Sequence, residues 1–449
     1  MKCRQMMALM TSVAMAVSLA ACGGQPTENA SQQAASEGSD TAQSTAAAEQ
    51  PAGDTTLRVA WWGSQVRNDA TVQVTEMYHE LFPNVSFETE FADYGGYFEK
   101  LATQVAGNSV PDVIQMDRGY LMQYVNKNQL EDLTPYIESG LLDVSNIPEE
   151  SLNTGKVGDG LYALVLGVNV PSLFYDAAVV EEAGVTITND MSMEDFIDAC
   201  RTIYEKTGVQ TDLDYGMDAT YLNLYARGEG GHLINDEGTA LGIDETTLTD
   251  FFSLYSNGLA EGYMLSPEVY TELDVNAVEQ NPMVLGKSWC TILFSNQLSA
   301  ITTAAGRDVG IASVPAGDVK ALQYIKPSQF FSISVNSANK EEAVKFINWF
   351  INDNAPNEVL LGERGVPVNS EVADHISPMM SEADQESIAF VEQVSANCSD
   401  IDAPSPEGMS EIDALTNEMV EAVCYGTMTP QEAAQEFMSR SNEILSQNQ

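Results

Sequence analysis

The stretch LYALVLGVNVPSLFYDAAVVEEAG, Leu161–Gly184, decides how the rest of the chain is read. Leu161–Val168 is an apolar run, Asn169-Val170-Pro171 interrupts it, and Leu173-Phe174-Tyr175 resumes it. Two buried strands on either side of a polar, proline-containing joint can carry a chain from one sheet into another. A hinge needs only a few residues at element ends that absorb a backbone rotation. A single bent strand inside one domain would use the same residues, so the flanking sequence has to decide.

Upstream, Leu57–Gly63 alternates like a strand and stops at glycine. Ala70, Val74, Met77, Tyr78 and Leu81 recur at helical spacing before Pro83, and Val85, Phe87, Thr89 and Phe91 alternate again. A helical stretch near Tyr97–Val105 leads into a short buried strand at Pro111-Asp112-Val113-Ile114. Strand–helix–strand alternation with short joints predicts a parallel sheet covered by helices. Downstream, Ser192 and Asp195 stand at capping-box spacing before a stripe of Phe196, Ala199, Cys200 and Ile203. Asp244–Gly258 predicts a helix, and Pro282–Phe294, Val309–Val314 and Phe330–Val335 predict strands. Ala343, Phe346, Ile347 and Phe350 line a further helix, and Thr429, Pro430 and Glu432 open a C-terminal one.

The chain has 449 residues, enough for two cores, and its 44% hydrophobic content is ordinary for a globular protein. Its charge is not: 66 acidic against 19 basic side chains give a formal net charge of −47. Such a surface repels nucleic acid and anionic lipid, which argues against a nucleic-acid partner. It keeps the chain solvated, and adaptation to a salty or acidic habitat would leave the same excess.

At the N-terminus Lys2 and Arg4 precede an apolar segment, Met6–Ala20, too short for a membrane span. It ends in Leu19-Ala20-Ala21-Cys22, which resembles the lipobox of bacterial lipoproteins. The expectation is a signal peptide over 1–21 and a lipid on Cys22. Gly23–Asp54 lacks Val, Ile, Leu and aromatic residues, so 22–54 reads as a disordered tether. Cys200 and Cys290 lie in apolar runs and read as core, while a Cys398–Cys424 bridge stays open. His79, His232 and His375 are too scattered for a zinc site, and no nucleophile elbow, Walker loop or dinucleotide fingerprint occurs. No metal or cofactor is expected.

Several short motifs in order resemble the extracellular solute-binding proteins of bacterial ABC transporters, in the maltose-type, carbohydrate-associated group. They are Trp62-Gly63 closing the first strand, Gly107–Val113, Leu130–Thr134, Val170–Tyr175, Gly286-Lys287-Ser288, Ser334–Glu342 and Gly365–Asn369. The resemblance implies an α/β fold of two lobes, type II, each a mostly parallel sheet flanked by helices, with the ligand in a cleft at the hinge. It implies lobe 1 over 55–163 and 327–365, lobe 2 over 168–322 and 370–449, and crossovers near 164–167, 323–326 and 366–369.

The function implied is capture of a mono- or oligosaccharide and delivery to the transmembrane subunits of an ABC permease, with no chemistry on the ligand. The expected protein is a monomer, lipid-anchored at the outer face of the cytoplasmic membrane of a Gram-positive bacterium. A receptor for a peptide or polyamine and a secreted glycoside hydrolase are the alternatives. Ligand contacts carried over by position are Trp62, Ser64, Asp117, Arg118, Asn169, Tyr221, Asn296, Ser328 and Phe331. Tyr94 and Tyr97 are loop aromatics beside Gly95-Gly96, and Trp289 stands in an apolar strand between core and cleft. Trp61 alternates with Leu57 and Val59 toward a core, which points Trp62 the other way. Asn296 and Asp413 stand where the maltose-type proteins carry stacking aromatics, which argues against maltose itself.

Overall fold

Strand β1 (Thr55–Trp62) feeds helix α1 (Gln65–Leu81), strand β2 (Val85–Ala92), helix α2 (Tyr94–Ala106), strand β3 (Val113–Met116) and helix α3 (Arg118–Asn126). The computed structural model describes residues 54–213, 219–273 and 277–448. The expected signal peptide, the Cys22 anchor and the tether lie outside them. A short hairpin, β4 (Lys156–Val157) with β5 (Gly160–Leu161), precedes β6 (Leu164–Asn169) and β7 (Pro171–Asp176). The later strands are β8 (Cys290–Phe294), β9 (Val309–Ala312), β10 (Lys326–Ile333) and β11 (Val366–Pro367).

One sheet runs β11-β6-β10-β3-β1-β2 and a smaller one runs β8-β7-β9. Strand β1 lies parallel to both β2 and β3, while β10 is antiparallel to β3 and β6. Thus β6 ends the chain's first passage through the larger sheet and β7 enters the smaller sheet, with only Val170 between them. The chain changes sheets at the polar joint, because Pro171 has no N–H to give a continuing ladder.

From β1 the chain steps first to β2 on one side and then to β3 on the other. Right-handed crossovers therefore set α1 and α2 on opposite faces of the sheet. The tryptophans follow. Trp61 Nε1 donates to Asn68 Oδ1 of α1 (2.9 Å), and Trp62 packs on Tyr97 and Phe98 of α2. On the α1 face Tyr78 meets Phe346 and Trp349 of the helix Lys340–Asn352.

The smaller sheet divides its side chains the same way. Leu173, Cys290 and Ile292 belong to a second apolar core with Phe196, Phe251 and Phe437. Phe174, Val309 and Ile311 join the larger core, where Leu298, Ile301 and the helix Glu382–Ser395 cover them. Side chains of period two thus hold a helical layer on each face.

The expected cap at Ser192 forms, its hydroxyl accepting from Asp195 N (3.1 Å), and Thr429 with Glu432 makes a full capping box. The strand expected over Pro282–Phe294 begins only at Cys290. Asn281 Oδ1 accepts from Met283 N, Lys287 N returns to the Pro282 carbonyl, and Gly286 adopts φ +71°, so the proline-led half is a turn. All four cysteines in the described residues are free, Cys398 and Cys424 included. Among the described residues no helix is long and apolar enough to cross a membrane.

Close backbone approach fixes the β6–β11 edge. A Cβ at Gly167 would sit 2.2 Å from the Arg364 carbonyl oxygen. Gly167→Ala should therefore destabilise the fold by about 1–3 kcal/mol, read as a lower denaturation midpoint; an unchanged midpoint would mean that this contact opens without cost.

Candidate functional site

The parallel strands β1, β2, β3 and β6 all end at one edge of the larger sheet, with a reversal of strand order at β1. Open α/β sheets place ligands outside the carboxyl ends of strands at such a point. Six of the expected positions gather here: Trp62 and Ser64 after β1, Tyr94 after β2, Asp117 and Arg118 after β3, and Asn169 closing β6. Lys326 pairs with Asn169, so β10 brings Ser328 to the same end of the sheet.

An aromatic cluster builds the surface. Trp62 is 8% exposed and packs its ring 5.4 Å from each of Tyr94, Tyr97 and Phe98. Tyr120 stacks on Phe98 at 3.8 Å with the rings 12° apart. Tyr94 is 46% exposed and meets Trp62 edge-on, so it is the accessible ring of the group. Asp93 heads α2 by accepting from Gly96 N (3.0 Å), which fixes the turn carrying Tyr94. Partial burial, reinforced by Asp117 and Tyr120, pushes the Tyr94 hydroxyl well above its ordinary pKa. It stays a neutral donor and acceptor through the physiological range. Asp117 caps α3 through Oδ1, which accepts from Gly119 N (2.8 Å), and its Oδ2 makes no hydrogen bond among the described residues.

Three expected contacts lie elsewhere. Phe331 is fully buried against Phe350, Tyr221 packs on Phe251, and Trp289 donates from Nε1 to Thr211 Oγ1 (2.8 Å) with no exposure. These three are core side chains. Tyr97 is also buried, its hydroxyl donating to the Gln115 carbonyl (2.7 Å). Trp62 does point away from Trp61, yet toward α2 rather than solvent, because both sheet faces are covered. Ser64 caps α1, accepting from Arg67 N (3.3 Å), and the Ser328 hydroxyl donates to the Gly167 carbonyl (2.8 Å). Asn169 is 5% exposed and its Oδ1 has no partner among the described residues. Asn296 is exposed in the turn Ser295–Gln297 that follows β8, where Ser295 N donates to the Val170 carbonyl (2.9 Å).

Arg118 is a correction of another kind. Its guanidinium donates to the carbonyls of Thr154 (3.1 Å) and Asp402 (2.6 Å), so it braces the chain. Burial pulls its pKa down, with Asp402 and Tyr324 opposing. The Asp402 carboxylate in turn takes Arg227, Asn223 Nδ2 (2.8 Å) and His232 Nδ1 (2.5 Å). Arg227 is 2% exposed and also donates to Ser399 Oγ and to the carbonyls of Asp400 (2.7 Å) and Leu322 (3.2 Å). None of this hub was expected from the sequence. Its one local signal is an arginine on the apolar helix Thr220–Gly228.

The model of the bacterial extracellular solute-binding proteins matches residues 63–355. The chain belongs to that family. A family 1 extracellular solute-binding protein from Alicyclobacillus acidocaldarius shares 29% identity over 88% of this chain and 100% of its own, with a TM-score of 0.81. An oligogalacturonide-binding protein from Yersinia enterocolitica, solved with saturated digalacturonic acid, shares 21% identity over 88% of this chain and 99% of its own, TM-score 0.67. An arabinooligosaccharide-binding protein of Bacillus subtilis is 22% identical over 178 residues, 38% of this chain and 40% of that protein. The solute-binding protein described here thus has the mixed α/β, periplasmic-binding-protein-like fold of its relatives.

Proposed function

We propose that this solute-binding protein captures a mono- or oligosaccharide and hands it unaltered to the transmembrane subunits of an ABC permease. The observation that carries the reading is the exposed Tyr94 ring, backed by Trp62 and Phe98 and set beside an Asp117 oxygen without a hydrogen bond among the described residues. A sugar offers C–H faces to such a ring and hydroxyls to such an acceptor. Relatives that bind oligogalacturonide and arabinooligosaccharide support the ligand class. Asn169 Oδ1 and the exposed Asn296 add polar groups from β6 and from the turn after β8.

In this reading the two lobes, 55–163 with 327–365 and 168–322 with 370–449, close on the ligand about the crossovers near 164–167, 323–326 and 366–369. The ligand shifts an open–closed equilibrium by its differential affinity for the closed form. The protein works as a monomer held by a lipid on Cys22 at the outer face of a Gram-positive cytoplasmic membrane.

A thermal-shift screen over mono- and oligosaccharides tests the ligand class, since binding to the native state raises the melting temperature. With the sugar so found, Tyr94→Ala should weaken binding about tenfold, equivalent to ~1.4 kcal/mol. Its melting temperature without sugar should change little, because nearly half of that side chain is already in water. Unchanged affinity would take Tyr94 out of the site, and a panel without any hit would remove the carbohydrate assignment.

A further inference from the structure

The loop that follows the helix Glu382–Ser395 lies along the crossover at 323–326. Tyr324 and Ser399 form a parallel bridge, and Ser399 N donates to the Gln323 carbonyl (2.9 Å). The Ser399 hydroxyl donates to the Ala321 carbonyl (2.8 Å). Arg227 clamps the same loop through Ser399 Oγ, the Asp400 carbonyl and the Asp402 carboxylate, with its guanidinium carbon 4.8 Å from the centre of the Tyr324 ring. The residues that hold the Asp402 side chain, Arg227, Asn223 and His232, all belong to 168–322.

The Asp402 carbonyl is held from elsewhere. It accepts from Arg118 Nη2 (2.6 Å), while Nη1 of the same guanidinium donates to the Thr154 carbonyl (3.1 Å). Arg118 and Thr154 both belong to 55–163. One arm of the guanidinium is thus fixed within the first lobe and the other reaches the second, at the carboxyl end of β3 where Asp117 caps α3.

This arrangement also carries a cost at the crossover. Gln323 is 1% exposed, and neither its Nε2 nor its Oε1 has a partner among the described residues. A buried polar group left unpaired costs about as much as a hydrogen bond from a charged donor contributes. The two effects oppose each other, so the lobes are held by a balance rather than locked.

We propose that Arg118 is an interlobe tie, a positioning residue that sets how far the two lobes stand apart before a ligand arrives. It acts through Asp117 and Tyr94, which it brings to the second lobe, and touches no ligand itself. The inference rests on the two-lobe reading given above.

Small-angle scattering of the sugar-free protein tests the tie with Arg118→Met, which removes the donors and keeps an apolar side chain of similar reach. Losing a bond from a charged donor should shift the balance of lobe arrangements about tenfold. A bond across the cleft edge holds the lobes together, so the variant's radius of gyration should exceed that of the unaltered chain. Both chains carry the same N-terminal segment, and a difference in radius therefore reports the lobes. A residue that only braces the fold would lower the melting temperature and leave the radius unchanged; that result overturns the tie. No sugar enters this measurement, so a failed carbohydrate assignment leaves it standing. Conversely, an unchanged radius in the variant, with the unaltered chain still contracting on the sugar found by thermal shift, would sink the tie alone. Should Arg118→Met fail to fold, native-state hydrogen exchange of the unaltered chain decides. The Ser399 amide should then exchange through a local opening, well below the cost of global unfolding. Protection equal to that of the β1 amides would show a permanent contact and overturn the proposal.

Discussion

Trp62→Ala should lower the stability of the solute-binding protein by about 3–5 kcal/mol, the usual cost of deleting a large aromatic side chain from a core. Alternation along β1 alone predicts something different, a weakened ligand affinity with an unchanged melting curve. The structure reverses that expectation, because Trp62 is 8% exposed and supports Tyr94, Tyr97 and Phe98 from beneath. Affinity should fall as well, since the removed ring is what holds Tyr94 in place. Thermal or urea unfolding of the variant decides the point. A melting curve matching that of the unaltered protein would mean that the indole stands in solvent and touches the ligand directly.

The second large effect is expected at Arg227. Replacing it with leucine leaves the Asp402 carboxylate and the carbonyls of Leu322 and Asp400 short of a donor. Breaking a buried ion pair from one side destabilises by about 3–5 kcal/mol, because the remaining charge keeps its desolvation cost. Asp402 is 26% exposed at its side chain, which places the loss toward the lower end. The Asp402 carbonyl also accepts from Arg118, so the β3 end of the larger sheet should loosen together with the helix Thr220–Gly228. Adding Asp402→Asn to Arg227→Leu should cost much less than the two single losses combined, since both remove one interaction. Simple additivity would show that the two side chains act independently, against the hub.

These two residues show how far a sequence can be read. The strand that carries Trp62 was legible from alternation, and so was the fact that Trp61 and Trp62 face opposite ways. Alternation reports which face a side chain takes and says nothing of what lies on that face. Only the return of α2 across the sheet turns the second face into core. The Trp289 and Phe331 positions follow the same logic: Trp289 stands just before β8 and Phe331 in β10, and both are covered by packing from other segments. Pro282–Ser288 forms a turn and not the strand its composition predicts, since an apolar run led by proline serves a tight turn as readily as an extended segment.

Buried charges were harder still. Arg227 and Asp402 are 175 residues apart, and Arg364 and Gln115 are 249 apart. No periodicity links such pairs, and in a chain with 66 acids every arginine has many nominal partners. Arg118 is the clearest case. Its place after β3 was evident from the order of elements, whereas its engagement by two carbonyls depends on where residues 154 and 402 come to rest.

By itself the sequence determined the order of strands and helices, their caps, the break at Asn169-Val170-Pro171 and the family to which the chain belongs. These are properties of neighbouring residues, set by side-chain period, turn chemistry and short motifs. The tertiary structure alone decided which aromatic ring reaches solvent and which arginines are tied to distant carbonyls. Exposure and ion pairing arise from packing between segments far apart in the chain, and a linear pattern holds no record of that packing.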